Sequence, residues 1–435
     1  MDVSELDRPL QAVIVGAGHR ALLYASYALE HPEKLEITGV VDPMEDRREY
    51  VAKLYRLDKT RCFAAVEELM DCPKLADVII NGTMDHQHVR TSLPLLEKGY
   101  DILLEKPFAV NEEEMEELIG AVEKYQRKIM ICHVLRYTPF YREIKQRLVE
   151  GGIGDIVSIQ TTEHVSFHHM STSYVRGKWR SEKYSHTPML LAKCCHDLDI
   201  VLWMQSGVAP TAVSSFGSTY QFVPQRKPEG AGTRCMTDCK IEEQCAYSAR
   251  KHYIENPDRW SFYVWDCFEY GKKPTIQEKI DSLKTDNDYG KCVWHCDNEV
   301  VDHQAVLIEF CNGSTAVHTM VGGAAESQRS IHIIGTLGEI SGIFENQQFT
   351  IKKINPRLGR DFDEEVINLK VTGDMVGAFG GHGGGDLALV EDFVDFIKDK
   401  KPSLSCTSLM DSVFSHKIAF CAEKSRKQYE VVQLL

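Results

Sequence analysis

The chain has 435 residues, 43% of them hydrophobic and 26% charged, which predicts a globular protein of more than one domain. Sixty-four acidic against fifty basic residues leave a net charge of −14, a poor match for nucleic acid or an anionic membrane. No stretch reaches the ~18 apolar residues of a membrane span. MDVSELDRPL lacks the basic and apolar regions of a signal peptide, so the expected location is the cytoplasm, with the fourteen cysteines mostly reduced.

Ala12 to Val15 is a short β-branched run that reads as a buried strand. It breaks at Gly16-Ala17-Gly18-His19-Arg20-Ala21 and continues in a helical pattern, ALLYASYALEH. A second strand, Leu35 to Val41, ends at Asp42. Strand, glycine turn, helix, strand and acid follow in the order a dinucleotide-binding βαβ unit requires. Gly16 permits the tight turn, Gly18 lets backbone approach a pyrophosphate, and Ala21 allows close helix packing. Asp42 is placed to accept from a ribose 2′-hydroxyl, favouring NAD over NADP, with Arg47 and Arg48 close enough to soften that preference.

Further strands are expected at 76–82, at Ile102 to Leu104, and at 128–135 running into Arg136-Tyr137. Alternation with helices predicts an α/β Rossmann domain with a doubly wound parallel sheet over 1–135, binding ligands beyond the carboxyl ends of its strands. GAGHRA, Asp42, the segment from Thr83 to His88, Glu105-Lys106-Pro107 and Arg136-Tyr137 together resemble the Gfo/Idh/MocA family (glucose-fructose oxidoreductase, inositol dehydrogenase, rhizopine catabolism). The resemblance implies that Lys106 lies near the nicotinamide and the substrate hydroxyl. The expected cofactor residues are then Gly16, Gly18, His19, Arg20, Asp42, Thr83, His88, Glu105 and Lys106, with Arg136 and Tyr137 toward substrate.

Residues 136–435 are expected to form an α+β substrate and oligomerisation domain. Runs at 156–166, 211–222, 303–321, 329–344 and 347–354 predict a mostly antiparallel, open-faced sheet, its free face suited to a homo-oligomer. Ahead of most of these strands lies Met189 to Met204, where Leu191, Cys194, Leu198 and Val201 form an apolar stripe and Cys194 and Cys195 read as packing. Lys193, His196 and Asp197 fall on another face and form a plausible acid–base cluster. The family resemblance implies a DxxxHxxD helix here. His196 and Asp199 match, Ala192 replaces the first acid, and Lys193 stands next to the gap. The catalytic set expected is Lys106, His196 and Lys193.

Upstream, 164–188 is rich in His, Arg and Tyr; His168, Arg176 and Trp179, with Asp197 and His382, are the candidate sugar contacts. Gly383 to Gly385 precede Asp386, which reads as a helix N-cap. An insertion over roughly 223–300 carries Cys235, Cys239, Cys245 and Cys292. That spacing admits a structural zinc or cluster, or simply reduced thiols. Three functions remain open at this point. The first is an NAD-dependent dehydrogenase of a sugar, cyclitol or glycoside. The second is a glycosidase or lyase that retains its NAD, and the third a nucleotide-binding regulator without turnover.

Overall fold

The computed structural model describes residues 8–257, 259–265, 273–369 and 384–434. They divide into two compact units, one drawn from 1–147 and 369–417, the other from 148–368 and 418–435.

In the first unit six parallel strands, β1 (Leu10–Val15), β2 (Leu35–Val41), β3 (Cys62–Phe63), β4 (Val78–Asn81), β5 (Asp101–Leu104) and β6 (Ile129–Ile131), run in the order β3-β2-β1-β4-β5-β6. This is the doubly wound sheet expected. Strand order reverses between β1 and β4, and the crevice there is where such sheets bind ligands. β4 is buried at every residue, as a strand covered on both faces must be. Its core joins Ala12, Ile14, Ile80 and Leu103 to Leu389, Val390 and Phe393 of the helix Gly385–Ile397, so the unit is completed by residues far along the chain.

The strand expected over 128–135 is shorter. The Cys132 N–H still pairs with Leu104, but the His133 N–H folds back onto the Ile131 carbonyl and Val134–Tyr137 coils into a 3-10 turn.

The second unit is a nine-stranded sheet of β7 (Ile156–Ser166), β8 (Pro210–Ser218), β9 (His303–Phe310), β10 (Thr315–Ala324), β11 (Gln328–Gly335), β12 (Gly338–Ile343), β13 (Gln348–Arg357), β14 (Arg360–Asn368) and β15 (Val432–Gln433). The order is β14-β13-β12-β11-β7-β10-β9-β8-β15, antiparallel except for the central β7–β10 pair. On β9 Val306, Ile308 and Phe310 face inward while Ala305, Leu307 and Glu309 face out, the period of a half-covered sheet. β14 has no apolar period to predict it. Lys352 and Lys353 of β13 stand opposite its Glu364 and Asp363, and such cross-strand charge pairs favour this register.

The helix Met189–Met204 packs on β7 and β10. It is not the one-sided helix its apolar stripe suggested, because only Lys193, His196 and Leu202 escape full burial. Beneath it, Arg329 of β11 lies directly opposite Glu163 of β7 in the antiparallel ladder. The guanidinium is 2.6 Å from the Glu163 carboxylate and 3.1 Å from that of Asp197, while Lys193 Nζ is 3.0 Å from Glu163. Lys193 and Asp197 are one helical turn apart, so the two ion pairs set the rotation of the helix about its own axis.

Both carboxylates are almost wholly buried, which makes removal of their cation costly. Arg329→Met is expected to destabilise the second unit by roughly 3–5 kcal/mol in chemical denaturation. The double variant Arg329→Met/Glu163→Gln should lose clearly less than the sum of the two single changes; strict additivity would refute the coupling.

Candidate functional site

The glycine turn of the first unit is built as the sequence indicated. Gly16 has φ +79°, and a β-carbon there would stand 2.7 Å from the Thr83 nitrogen, so no other residue fits. A β-carbon on Gly18 would meet nothing closer than the Gly82 carbonyl at 3.9 Å. The surrounding protein therefore leaves room at Gly18 for the close approach a diphosphate needs. Gly18 caps the helix His19–Ala25, whose first-turn N–H groups have no partner within the helix. Ala21 packs so tightly that a β-carbon on Gly82 would come within 2.8 Å of its own.

Asp42 ends β2 and ties this turn down. One carboxylate oxygen accepts the Ala17 N–H at 2.8 Å and the other the Met44 N–H at 2.9 Å. Each oxygen keeps a second lone pair, so the residue still fits a ribose hydroxyl. Arg47 lies 3.8 Å from the Asp42 carboxylate and Arg48 donates to its backbone carbonyl. Thr83 turns its N–H and hydroxyl onto the Asn81 side chain.

Lys106 follows directly on β5, and its segment is fixed from several sides. The Lys106 N–H donates to the Glu105 carboxylate at 2.8 Å. The other Glu105 oxygen accepts from Tyr24 at 2.7 Å and from Arg20 at 3.0 Å. A ring nitrogen of His88 lies 2.7 Å from the Pro107 carbonyl, and the Phe108 N–H donates to His416 Nε2 at 3.1 Å. Burial alone would raise the Glu105 carboxyl. The charges of Arg20 and Lys106, with hydrogen bonds from Tyr24 and Arg20, hold it below the usual carboxylate range. Tyr24 and His416 escaped the sequence reading, because a tyrosine and a histidine within helical patterns carry no local signal.

Asp386 is not the N-cap expected. Gly384 occupies that position, and Asp386 is fully buried in an ion pair with Arg20. Arg136 and Tyr137 are also buried, and the Tyr137 hydroxyl donates to Asp392 at 2.7 Å. That bond fixes the Tyr137 ring against the helix Gly385–Ile397. His382 and Gly383 lie outside the described residues.

In the second unit Lys193 and His196 share the less buried side of their helix, whereas Asp197 points into the ion-pair network. Ala192, Cys194 and Cys195 are buried. The Cys194 sulfur, an Asp197 oxygen and a His318 ring nitrogen lie within 4.8 Å of one another. His318 is held by Thr161 at 2.9 Å, and burial drives its pKa below the ordinary value.

Around His168 the rings of His169, Tyr174, Trp179, Trp260 and Tyr263 form a contiguous cluster of mostly tilted contacts. His169 and Trp260 are 5.0 Å apart, and Trp179 and Tyr263 6.0 Å. Burial lowers the His168 pKa to about 4. Arg176, expected among the sugar contacts, is only 1% exposed and directs its donors to the Lys291 and Tyr247 carbonyls, the Tyr253 hydroxyl and the Cys235 sulfur. Its role is inside the insertion.

Two family models match the chain: the NAD-binding Rossmann fold of an oxidoreductase family over residues 10–133, and that family's C-terminal alpha/beta domain over 145–427. The chain belongs to the Gfo/Idh/MocA family. It is an NAD-binding oxidoreductase. The Bacillus subtilis oxidoreductase YteT, itself provisionally named, is 26% identical over 370 residues, covering 82% of this chain and 81% of YteT. The NAD-dependent scyllo-inositol 2-dehydrogenase of Bacillus subtilis is 24% identical over 216 residues, 49% of this chain and 58% of the relative. A levoglucosan dehydrogenase solved with NADH and levoglucosan shares the fold at TM-score 0.68 and 17% identity, covering 98% of this chain and all of that one. Among the described residues of this Gfo/Idh/MocA chain no helix is long and apolar enough to cross a membrane.

Because the folded Glu105 carboxyl titrates below its unfolded value, its stabilisation is complete above ordinary carboxylate pKa values and fades as pH falls through the lowered one. Glu105→Gln should flatten the acid limb of the unfolding profile below about pH 4. It should also weaken NAD binding at neutral pH. An acid limb identical to wild type would show the carboxylate unpaired in solution.

Proposed function

We propose that this chain is an NAD-dependent dehydrogenase of a secondary hydroxyl on a sugar, cyclitol or glycoside. The observation that carries the reading is the multiply anchored Glu105-Lys106-Pro107 segment at the carboxyl edge of β5, in the same unit as a glycine turn shaped for a diphosphate. NAD, when bound, supplies a hydride acceptor or donor. Gly16, Gly18 and the start of the helix His19–Ala25 hold its diphosphate in this reading, and Asp42 its ribose.

His196 takes the hydroxyl proton, since imidazole starts nearest the pKa such a base needs at neutral pH. The Lys106 ammonium stabilises negative charge as it grows on the oxygen, and polarises the ketone in the reverse direction. Lys193, held by Glu163, positions the helix beside His196. The ring cluster around His168 and Trp179 offers the flat faces and hydrogen-bonding edges a polyol requires. The scyllo-inositol and levoglucosan dehydrogenases among its relatives favour the same substrate class. Assembly as a homo-oligomer through the open sheet face, where Leu307 and Phe216 are exposed, belongs to this reading too.

The reading is tested by incubating the protein and NAD with sugars, cyclitols and glycosides while following NADH and released aglycone together. Net NADH is expected. Aglycone without net NADH would instead indicate a retained-cofactor glycosidase, and silence across the panel with NAD bound a regulator. Lys106→Ala and His196→Ala should each lower kcat by about 10²–10⁴-fold. Turnover near wild type in either would remove that residue from the mechanism. Asp42→Ala should weaken NAD at least about tenfold, one hydrogen-bonded charge, and narrow its advantage over NADP; an unchanged ratio would place the ribose elsewhere.

A further inference from the structure

The insertion between β8 and β9 holds a feature the dehydrogenase chemistry does not use. Cys235, Cys239, Cys245 and Cys292 line one pocket of about 250 Å³, counting its open mouth, together with Arg176 and Tyr247. Two backbone segments make it. Arg234 and Lys291 form an isolated antiparallel bridge, with the Cys235 N–H on the Gly290 carbonyl and the Cys292 N–H on that of Thr233, so these two cysteines flank the bridge diagonally on one face. The Asp238 carboxylate then accepts the N–H groups of Thr233 and Arg234, closing the loop that brings Cys239 round.

Two further observations point to negative charge on the sulfurs. The Tyr247 N–H donates to the Cys245 sulfur at 3.3 Å. Such N–H···S bonds orient and stabilise thiolate ligands. Arg176, buried beside them, donates to the Cys235 sulfur at 3.4 Å, and its other acceptors among the described residues are two carbonyls and a phenol. Glu242 lines the same pocket, but its carboxylate is taken up by Ser248 and Arg250, so the buried guanidinium gains from any further negative charge brought to the sulfurs.

We propose that Cys235, Cys239, Cys245 and Cys292 bind a thiophilic metal centre, zinc or an iron–sulfur cluster, with Arg176 as its buried counter-charge. Binding displaces the thiol protons. Four thiolates around a divalent ion leave two net negative charges, which the guanidinium partly neutralises. A closed four-thiolate site has no open position for substrate, so its work is to staple the segment 233–245 to 291–294.

Among the described residues no three of these sulfurs lie within 4.8 Å of one another. Thiolates at about 2.3 Å from a single zinc stand roughly 3.8 Å apart. One ion therefore requires the side chains to draw inward, whereas a cluster accepts them further apart.

The test uses the full chain purified without oxygen, analysed for metals and acid-labile sulfide, then stripped and reloaded with cobalt(II) or with ferrous iron and sulfide. About one zinc per chain, with intense thiolate-to-cobalt absorption, or about four irons with matching sulfide, is expected. The two results distinguish the ion from the cluster. Cys239→Ser and Cys292→Ser should lose most of the metal, and exposed Cys311→Ser should keep it. NAD binding by each variant controls for folding. A wild-type chain that takes up neither metal, or a folded Cys239→Ser with full metal content, would overturn the proposal.

Discussion

In each unit a single arginine bridges two buried carboxylates carried by different elements, and the positions of the proposed reactive groups depend on those bridges. Arg20 joins Glu105, at the end of β5, to Asp386, in the first turn of the helix Gly385–Ile397. Arg329 joins Glu163, on the central strand β7, to Asp197, on the helix of His196. A planar guanidinium can satisfy two carboxylates at fixed angles, which a lysine cannot do. The arrangement locates a turn in one case and a helix rotation in the other, and Lys106 and His196 take their places as a result.

The parts of the fold legible in the sequence are those governed by short-range rules. β1, β2, β4 and β5 are apolar runs closed by glycine or acid, and Gly16 and Gly18 occupy positions where backbone geometry or open space selects them. The end of β6 was not legible, because a hydrogen bond from His133 back to Ile131 turns a run that remains apolar to Leu135. β14 was missed for the opposite reason, being a polar edge strand whose register is favoured by its neighbour's lysines.

The site divides in the same way. Lys106 and His196 stand in local patterns that announce them. Tyr24, His416, Glu163 and Arg329 have no such pattern, since their importance comes from partners scores to hundreds of residues away. Misreadings had the same origin. Asp386 looked like a cap because its partner, Arg20, lies far from it in sequence, and the Cys235 sulfur that Arg176 meets is likewise distant.

The discontinuity of the first unit has a consequence for the order in which this protein is made. Arg20 and Asp386 are separated by 366 positions, and the helix carrying Asp386 contributes Leu389, Val390 and Phe393 to the core around β1 and β4. During synthesis the nucleotide-binding sheet emerges first but lacks one of its covering layers until nearly the whole chain has left the ribosome. Until then its apolar surface stays open, and the second unit too waits on residues from 418 onward, among them β15 against β8, so neither unit can close before the chain is almost complete.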